Sequence, residues 1–363
     1  MTNIRELMVP HLRSLDTYQG VDPMEVMAER AGIPPEQIIR LNGNENPYGP
    51  SPKVVEALGS FEHYNHYPDP GQRKLRDTLS EYLGVSPAKI VCGNGSDELI
   101  DLILRIFLGP GENIILPTPT FGMYAFTAEV VGGKAISVPR TSNFEIDVPA
   151  ILSKIDANTK AIFFASPNNP TGNIATEDQI RSLLDTGIIV VVDETYFEFC
   201  GHTSMPLLEE YDNLIILRTF SKWAGLAGLR IGLGVMSTDL SSTMMNMKPP
   251  YNVNLAAEIA LITSLRDRAT LMTRVNAIVK ERSRLMDLFN AIPGVTAHPS
   301  QANFILTQLP AGRGQEIFEG LCSNGIFLRY FGKPPLTDFV RASVGLPNEN
   351  DAVVKTLIEL VGE

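Results

Sequence analysis

Leu214-Ile215-Ile216-Leu217-Arg218-Thr219-Phe220-Ser221-Lys222 is an apolar run that ends among hydroxyls in a lysine, and the chain then continues through Gly225, Gly228, Arg230 and Gly232 to Gly234. Four consecutive large apolar residues suit a strand buried on both faces, as in a parallel sheet covered by helices. A lysine leaving such a strand becomes a nucleophile toward carbonyls when desolvation or a nearby cation lowers its pKa. Thr219, Ser221 and Arg230 around it suit a phosphate, the arginine through charge-assisted, forked bonds. The segment therefore reads as a covalent anchor for a phosphorylated aldehyde. A solvated lysine before a flexible glycine loop is the plainer alternative, and the rest of the chain has to decide between them.

Outward from this strand, short apolar runs alternate with helix-like segments from residue 90 to 235, the pattern of a mainly parallel sheet wrapped on both faces. Seven strands are predicted, at 90–92, 113–116, 135–138, 161–165, 188–192, 214–217 and 231–235. Between them, 97–108 places Leu99, Ile100, Leu102, Ile103, Ile106 and Phe107 on one broad apolar face, and 177–184 repeats the idea with Thr176 as N-cap. Past Pro249-Pro250 a helical pattern runs from about 255 to 289 with an interruption near Asp267. A smaller α+β unit follows, with strands at 303–306, 326–329 and 339–343 and helices at 315–323 and 349–360. Residues 1–45, with Pro10, Pro23, Pro34 and Pro35, read as an arm and connector. The expected division is thus 1–45, a large α/β domain over 46–254, and a small C-terminal α+β domain over 255–363.

The bulk properties narrow the class. A chain of 363 residues with 44% hydrophobic and 20% charged residues is ordinary for a globular protein large enough to bury a deep cleft. Its apolar stretches fall short of the roughly 18 residues that span a bilayer. The start, with an early acid and no sustained apolar core, does not resemble a secretory leader, so a cytoplasmic location is expected. Three widely spaced cysteines without a CxxC pair argue against disulfides and thiolate zinc. His63 and His66 lie in a proline-bounded stretch that reads as a loop, so no metal is expected. A net charge of −11 disfavours nucleic acid.

Further motifs line up with one chemical task. Gly93-Asn94-Gly95-Ser96-Asp97-Glu98 follows a strand and opens a helix, whose free amides at Ser96 and Asp97 suit a phosphate, although Ser96 as a plain N-cap is equally natural in isolation. Ser166-Pro167-Asn168-Asn169-Pro170-Thr171-Gly172 projects Asn169 from a turn at a strand's C-terminal end, the edge where ligands collect in open α/β sheets. Asp193 closes an apolar strand, and a buried carboxylate needs a cation or donor. A protonated pyridine nitrogen is such a partner, with Asn169 and Tyr196 bonding the ring oxygen and Phe121 stacking on the ring. Arg329 and Arg341, at the ends and middle of buried strands, need anions, either a structural acid or a substrate.

With Asn169, Asp193, Tyr196, Lys222 and Arg230 in that order, the chain resembles the fold type I pyridoxal-phosphate aminotransferases and, within them, the histidinol-phosphate aminotransferase family. The similarity runs through nearly the whole chain and is most specific at Asn44-Glu45-Asn46-Pro47-Tyr48-Gly49-Pro50, Tyr67-Pro68-Asp69, residues 166–172, Ser221-Lys222 and Gly228-Leu229-Arg230. The resemblance implies that Lys222 anchors pyridoxal 5'-phosphate and shuttles the substrate proton, while Asp193 pairs with the ring nitrogen. Ser96, Asp97, Thr219, Ser221 and Arg230 are then the phosphate cup. Arg341 holds the substrate's anionic end, with Arg329, Tyr18 and Asn46 beside it. Tyr48 is expected to reach the cofactor phosphate of a neighbouring subunit, which requires a homodimer. One departure is Phe121, where family members often carry tyrosine; stacking survives and a hydroxyl contact is lost. Histidinol phosphate with 2-oxoglutarate is the substrate pair that the resemblance implies. An aromatic-amino-acid aminotransferase, a decarboxylase of an amino-acid phosphate and a noncatalytic pyridoxal-phosphate sensor remain the alternatives, the last weakened by the absence of a basic helix-turn-helix pattern in the first 41 residues.

Overall fold

Along each predicted central strand, alternate residues enter two different cores, as the two-residue period of a strand requires. Ile162, Phe164, Val190, Val192, Leu214 and Ile216 point to one side, and Ala161, Phe163, Val191, Ile215 and Leu217 to the other. The computed structural model describes residues 3–18 and 20–362. Its seven-stranded sheet runs in the order Ile90–Gly93, Gly232–Val235, Leu214–Thr219, Ile189–Asp193, Thr159–Ala165, Asn113–Thr118, Lys134–Pro139. Gly232–Val235 is antiparallel to both of its neighbours, and the remaining pairs are parallel. This is the fold type I architecture: a large, mostly parallel sheet with helices on both faces.

Connecting helices form where the sequence provides a cap and an apolar face. Glu177–Leu184 starts at Thr176, whose side chain and that of Gln179 close a reciprocal capping box. Ser96–Phe107 buries Leu99, Ile100, Leu102, Ile103 and Leu104 against the sheet. The helical stretch after Asn254 is two helices, Leu255–Arg266 and Arg268–Asn290, broken at Asp267. The second begins in the large core with Leu271, Val275 and Ile278 and ends in the small one with Leu285 and Phe289, so one helix is shared by both.

The small unit holds a four-stranded antiparallel sheet ordered Arg329–Tyr330, Phe339–Ser343, Phe304–Gln308, Thr296–Ala297. Helices Gly314–Ser323 and Pro347–Gly362 cover it. The N-terminal stretch is more ordered than an arm: Met24–Ala31 is a helix whose Met27 and Ala28 pack on Cys322 and Phe327. Ile39–Arg40 then pairs in parallel with Ile326–Phe327. Leu41 bonds to Phe327 on one side and Ser343 on the other, at 2.9 Å each, which lays residues 42–46 across the gap between the two sheets.

Candidate active site

The central strands Thr159–Ala165, Ile189–Asp193 and Leu214–Thr219 are parallel, so their C-terminal ends share one edge. A cavity of about 400 Å³ opens there, and the connector and the small unit close its far side. Asp193, Lys222, Tyr196, Asn169, Phe121 and Tyr18 line it, with Ser96, Asp97, Thr219, Ser221 and Arg230 at one end and Arg329 and Arg341 at the other. Two expected residues lie outside this cavity. Asn46 donates to the Trp223 carbonyl at 2.9 Å and accepts from the Tyr48 amide at 3.0 Å, bracing the turn. Tyr48 packs half-buried on the large core.

One end has the donors that an anion cup needs. The helix Ser96–Phe107 has Gly95 as its N-cap, with no side chain closing its first turn, so Ser96 is the first helical residue rather than the cap and the amides stay open. A Cβ on Gly232 would stand 2.6 Å from the Ser96 nitrogen, and one on Gly95 2.4 Å from Arg230 Nη2; glycine alone lets these elements meet. The Thr219 and Ser221 hydroxyls lie 2.9 Å apart. Arg230 adopts a left-handed backbone at φ 53, and its Nη2 donates to Asp97 at 2.9 Å. Asp97 thus serves the cup by holding the arginine, since its own carboxylate would repel an anion.

Beside the cup lie the lysine and the carboxylate. Lys222 Nζ donates to the Gly43 carbonyl at 2.9 Å. Burial, and then the Arg341 charge, bring its pKa down to about 8. Asp193 is buried; its Oδ1 accepts from the Thr195 amide at 2.9 Å and its Oδ2 from the Tyr124 hydroxyl at 2.7 Å. Burial raises its pKa while those bonds oppose the rise, so an adjacent cation would complete its environment. Glu194, just after Asp193, and Arg218, near the end of Leu214–Thr219, form a buried pair at 2.8 Å with the guanidinium over Phe197, pinning the two strand ends together.

At the far end Arg341 donates to Asn169 Oδ1 at 2.5 Å and to the Asn42 carbonyl at 2.7 Å. Its buried Nε has no partner among the described residues, nor has Asn42 Oδ1. The Tyr196 hydroxyl accepts from Asn44 Nδ2 at 2.9 Å, and burial pushes its pKa up to about 12. Asn42, Gly43 and Tyr124 contact candidate site residues that sequence reasoning did not link to them, and Asn44 was read only as part of a motif, without its contact to Tyr196. The only signal was chemical: a strand-end carboxylate needs a donor, but nothing local says that the donor is 69 residues away.

These residues fit a phosphorylated pyridine aldehyde. The open helix amides, paired hydroxyls and arginine suit its phosphate, the buried carboxylate its ring nitrogen, and the desolvated lysine its carbonyl. The orphaned Arg341 Nε leaves a donor for a second anion.

Comparisons agree with this chemistry. Residues 36–358 match the family model described as aminotransferase class I and II. A histidinol-phosphate aminotransferase of Roseiflexus castenholzii is 44% identical over 367 residues, with 99% of each chain covered. One from Dehalococcoides mccartyi is 42% identical over 358 residues, again with 99% of each covered. The crystal structure of a histidinol-phosphate aminotransferase from Sinorhizobium meliloti in complex with pyridoxal-5'-phosphate superposes with a TM-score of 0.89 at 26% identity, covering 98% of this chain and 97% of that one.

Proposed function

The chain belongs to the class I and II aminotransferases and, among them, to the histidinol-phosphate aminotransferases, and we propose that it moves the amino group of L-histidinol phosphate to 2-oxoglutarate. The products are imidazole-acetol phosphate and L-glutamate, a step of histidine biosynthesis. It is a transaminase dependent on pyridoxal 5'-phosphate. One observation carries the reading: a desolvated lysine and a buried carboxylate share a cavity that has two separate anion-binding ends.

Pyridoxal phosphate, when bound, supplies an electron-withdrawing ring that stabilises the charge left as a substrate Cα loses its proton. Ser96, Thr219, Ser221 and Arg230 would hold its phosphate, with Asp97 steadying the arginine. Asp193 would set its negative charge against the ring nitrogen and keep that nitrogen protonated. Phe121 would stack on the ring, and Tyr196 and Asn169 would serve the ring oxygen. Lys222 Nζ would hold the cofactor through its carbonyl carbon and, when free, would accept the proton of the substrate Cα and release it to that former carbonyl carbon, one nitrogen away from Cα. A pKa of about 8 suits that exchange near neutral pH. Arg341, assisted by Arg329 and Tyr18, grips the substrate's anion. The phosphate of histidinol phosphate and a carboxylate of 2-oxoglutarate occupy this end in turn, in ping-pong order.

The same reading makes the enzyme a cytoplasmic homodimer in which Tyr48 serves the partner's site. Exposed Val55, Tyr64, Tyr67 and Tyr251 support it by offering apolar surface for a second copy. Among the described residues no helix is long and apolar enough to cross a membrane.

To test the reaction, protein loaded with the cofactor and freed of excess is mixed with histidinol phosphate and then 2-oxoglutarate. Loss and recovery of the visible absorption, with glutamate formed, is the expected result; no glutamate refutes it. If kcat/KM favours phenylalanine by about tenfold, about 1.4 kcal/mol, the substrate class moves to aromatic amino acids.

A further inference from the structure

Three consecutive connector residues touch three functional side chains. The Asn42 carbonyl accepts from Arg341, the Gly43 carbonyl from Lys222, and the Asn44 amide donates to Tyr196. Asn44 is the most constrained of them. It is 1% exposed, has a left-handed backbone at φ 53, and its carbonyl accepts from Asn303 Nδ2 at 3.0 Å.

The orientation of its side-chain amide follows from bond accounting. The Asn44 backbone amide donates to Ser343 Oγ at 2.9 Å, and the Ser343 hydroxyl donates to Asn44 Oδ1 at 3.0 Å. A reversed amide would point Nδ2 at the serine oxygen and leave the serine proton without its acceptor in a buried place, an unfavourable arrangement. Nδ2 therefore faces the Tyr196 oxygen. A phenol has one proton. With Asn44 donating to it, Tyr196 keeps that proton for the cavity it lines.

We propose that Asn44 is a positioning residue that makes Tyr196 a one-way hydrogen-bond donor toward the ring oxygen of the bound cofactor, with Ser343 locking the amide in the required orientation. The inference rests on the functional reading given above. It also links Tyr196 to the arginine end of the cavity, because Ser343 and Arg341 are two residues apart on one strand and share a face. The charged and titratable groups facing Tyr196 are Arg341 from that strand, Asp193 from the end of the large-sheet strand Ile189–Asp193, Tyr124 from the helix Met123–Val130, and Tyr18 from the N-terminal segment. Burial outweighs Arg341, so the phenol stays protonated at neutral pH.

The test is the pH titration of the visible absorption of the pyridoxal-phosphate-loaded protein, with melting temperature measured alongside. A hydrogen bond donated to an oxyanion favours its charged form, so removing it raises the apparent pKa of the absorption change, by roughly one unit. Tyr196→Phe sets the reference shift. Asn44→Asp, nearly isosteric, accepts the tyrosine proton and is expected to reproduce most of that shift. Where a buried aspartate prevents folding, Ser343→Ala carries the test, since it frees the Asn44 amide to turn its oxygen toward the tyrosine. Ser343→Ala is expected to shift the titration in the same direction by less. Combining Asn44→Asp with Tyr196→Phe is expected to add nothing to the single change. If the Asn44 and Ser343 variants lower the melting temperature but titrate like wild type while Tyr196→Phe shifts, the inference fails and the functional reading stands. A wild-type protein that binds no pyridoxal phosphate overturns both.

Discussion

The two ends of the cavity are built in different ways. The anion cup is nearly local: Thr219, Ser221 and Arg230 come from one stretch of twelve residues, joined by a single helix start at Ser96. The arginine end gathers Asn42, Asn169 and Arg341, partners 172 and 299 residues apart. The proposed cofactor end thus draws most of its side chains from one stretch, while the proposed substrate end is assembled by packing the connector and the small unit against the large sheet. A change at the cup should therefore alter cofactor retention, and a change at the far end should alter substrate affinity with the cofactor still held.

The strongest way to break this contrast is at the carboxylate beside the cup. Asp193→Asn turns an NH2 toward either the Tyr124 hydroxyl or the Thr195 amide and removes the charge facing the ring nitrogen. The single-turnover rate measured by stopped flow is expected to fall roughly 10²–10³-fold, about 3–4 kcal/mol. An unchanged rate would remove Asp193 from the chemistry. At the opposite end, Arg341→Lys loses the fork that reaches both Asn169 and the Asn42 carbonyl. KM for both substrates should rise by roughly 30–100-fold, about 2–3 kcal/mol, with cofactor affinity unchanged. Weakened cofactor binding in this variant would show that the two ends are not separable.

A third prediction concerns the cofactor-free protein. The pKa of Lys222 is depressed in the fold, from 10.5 to about 8, mainly by burial. Its contribution to stability is therefore fully present above the unfolded value and lost as pH falls through about 8, where the cavity must hold an ammonium. Lys222→Met is expected to stabilise the cofactor-free chain by on the order of 2 kcal/mol at pH 7, with the gain vanishing above pH 10.5. Urea melts across that range check the sign; a pH-independent difference would mean the amine is well solvated. The smallest expected effect is Tyr124→Phe, which takes one donor from Asp193 and leaves the other. A loss of about 1–2 kcal/mol in transition-state stabilisation, about tenfold in rate, separates this supporting role from that of the carboxylate itself.

How much was legible follows the same division. The helix Glu177–Leu184 was readable with its cap because Thr176 and Gln179 stand three residues apart and satisfy each other. The break at Asp267 and the strand Phe339–Ser343 were readable from local pattern as well. The helix Met24–Ala31 was not, since four nearby prolines dominate its stretch and the faces that bury Met27 and Ala28 belong to residues 322 and 327. Ser96 was read for the right place, while the alternative that it is the cap gave way to Gly95, whose φ of 79 the sequence pattern does not distinguish.

By itself the amino-acid sequence determined the strand and helix periodicities, the glycines at the cup, and the chemical types of Lys222, Asp193 and Arg230, because these depend on neighbours within a few residues. Only the tertiary structure decided that Gly43 receives the lysine, that Tyr124 supports Asp193, and that Ser343 orients Asn44. Those contacts arise from which strands pair and in what register, and hydrogen bonds of 2.7–3.0 Å between distant residues exist only once the whole sheet has fixed their positions.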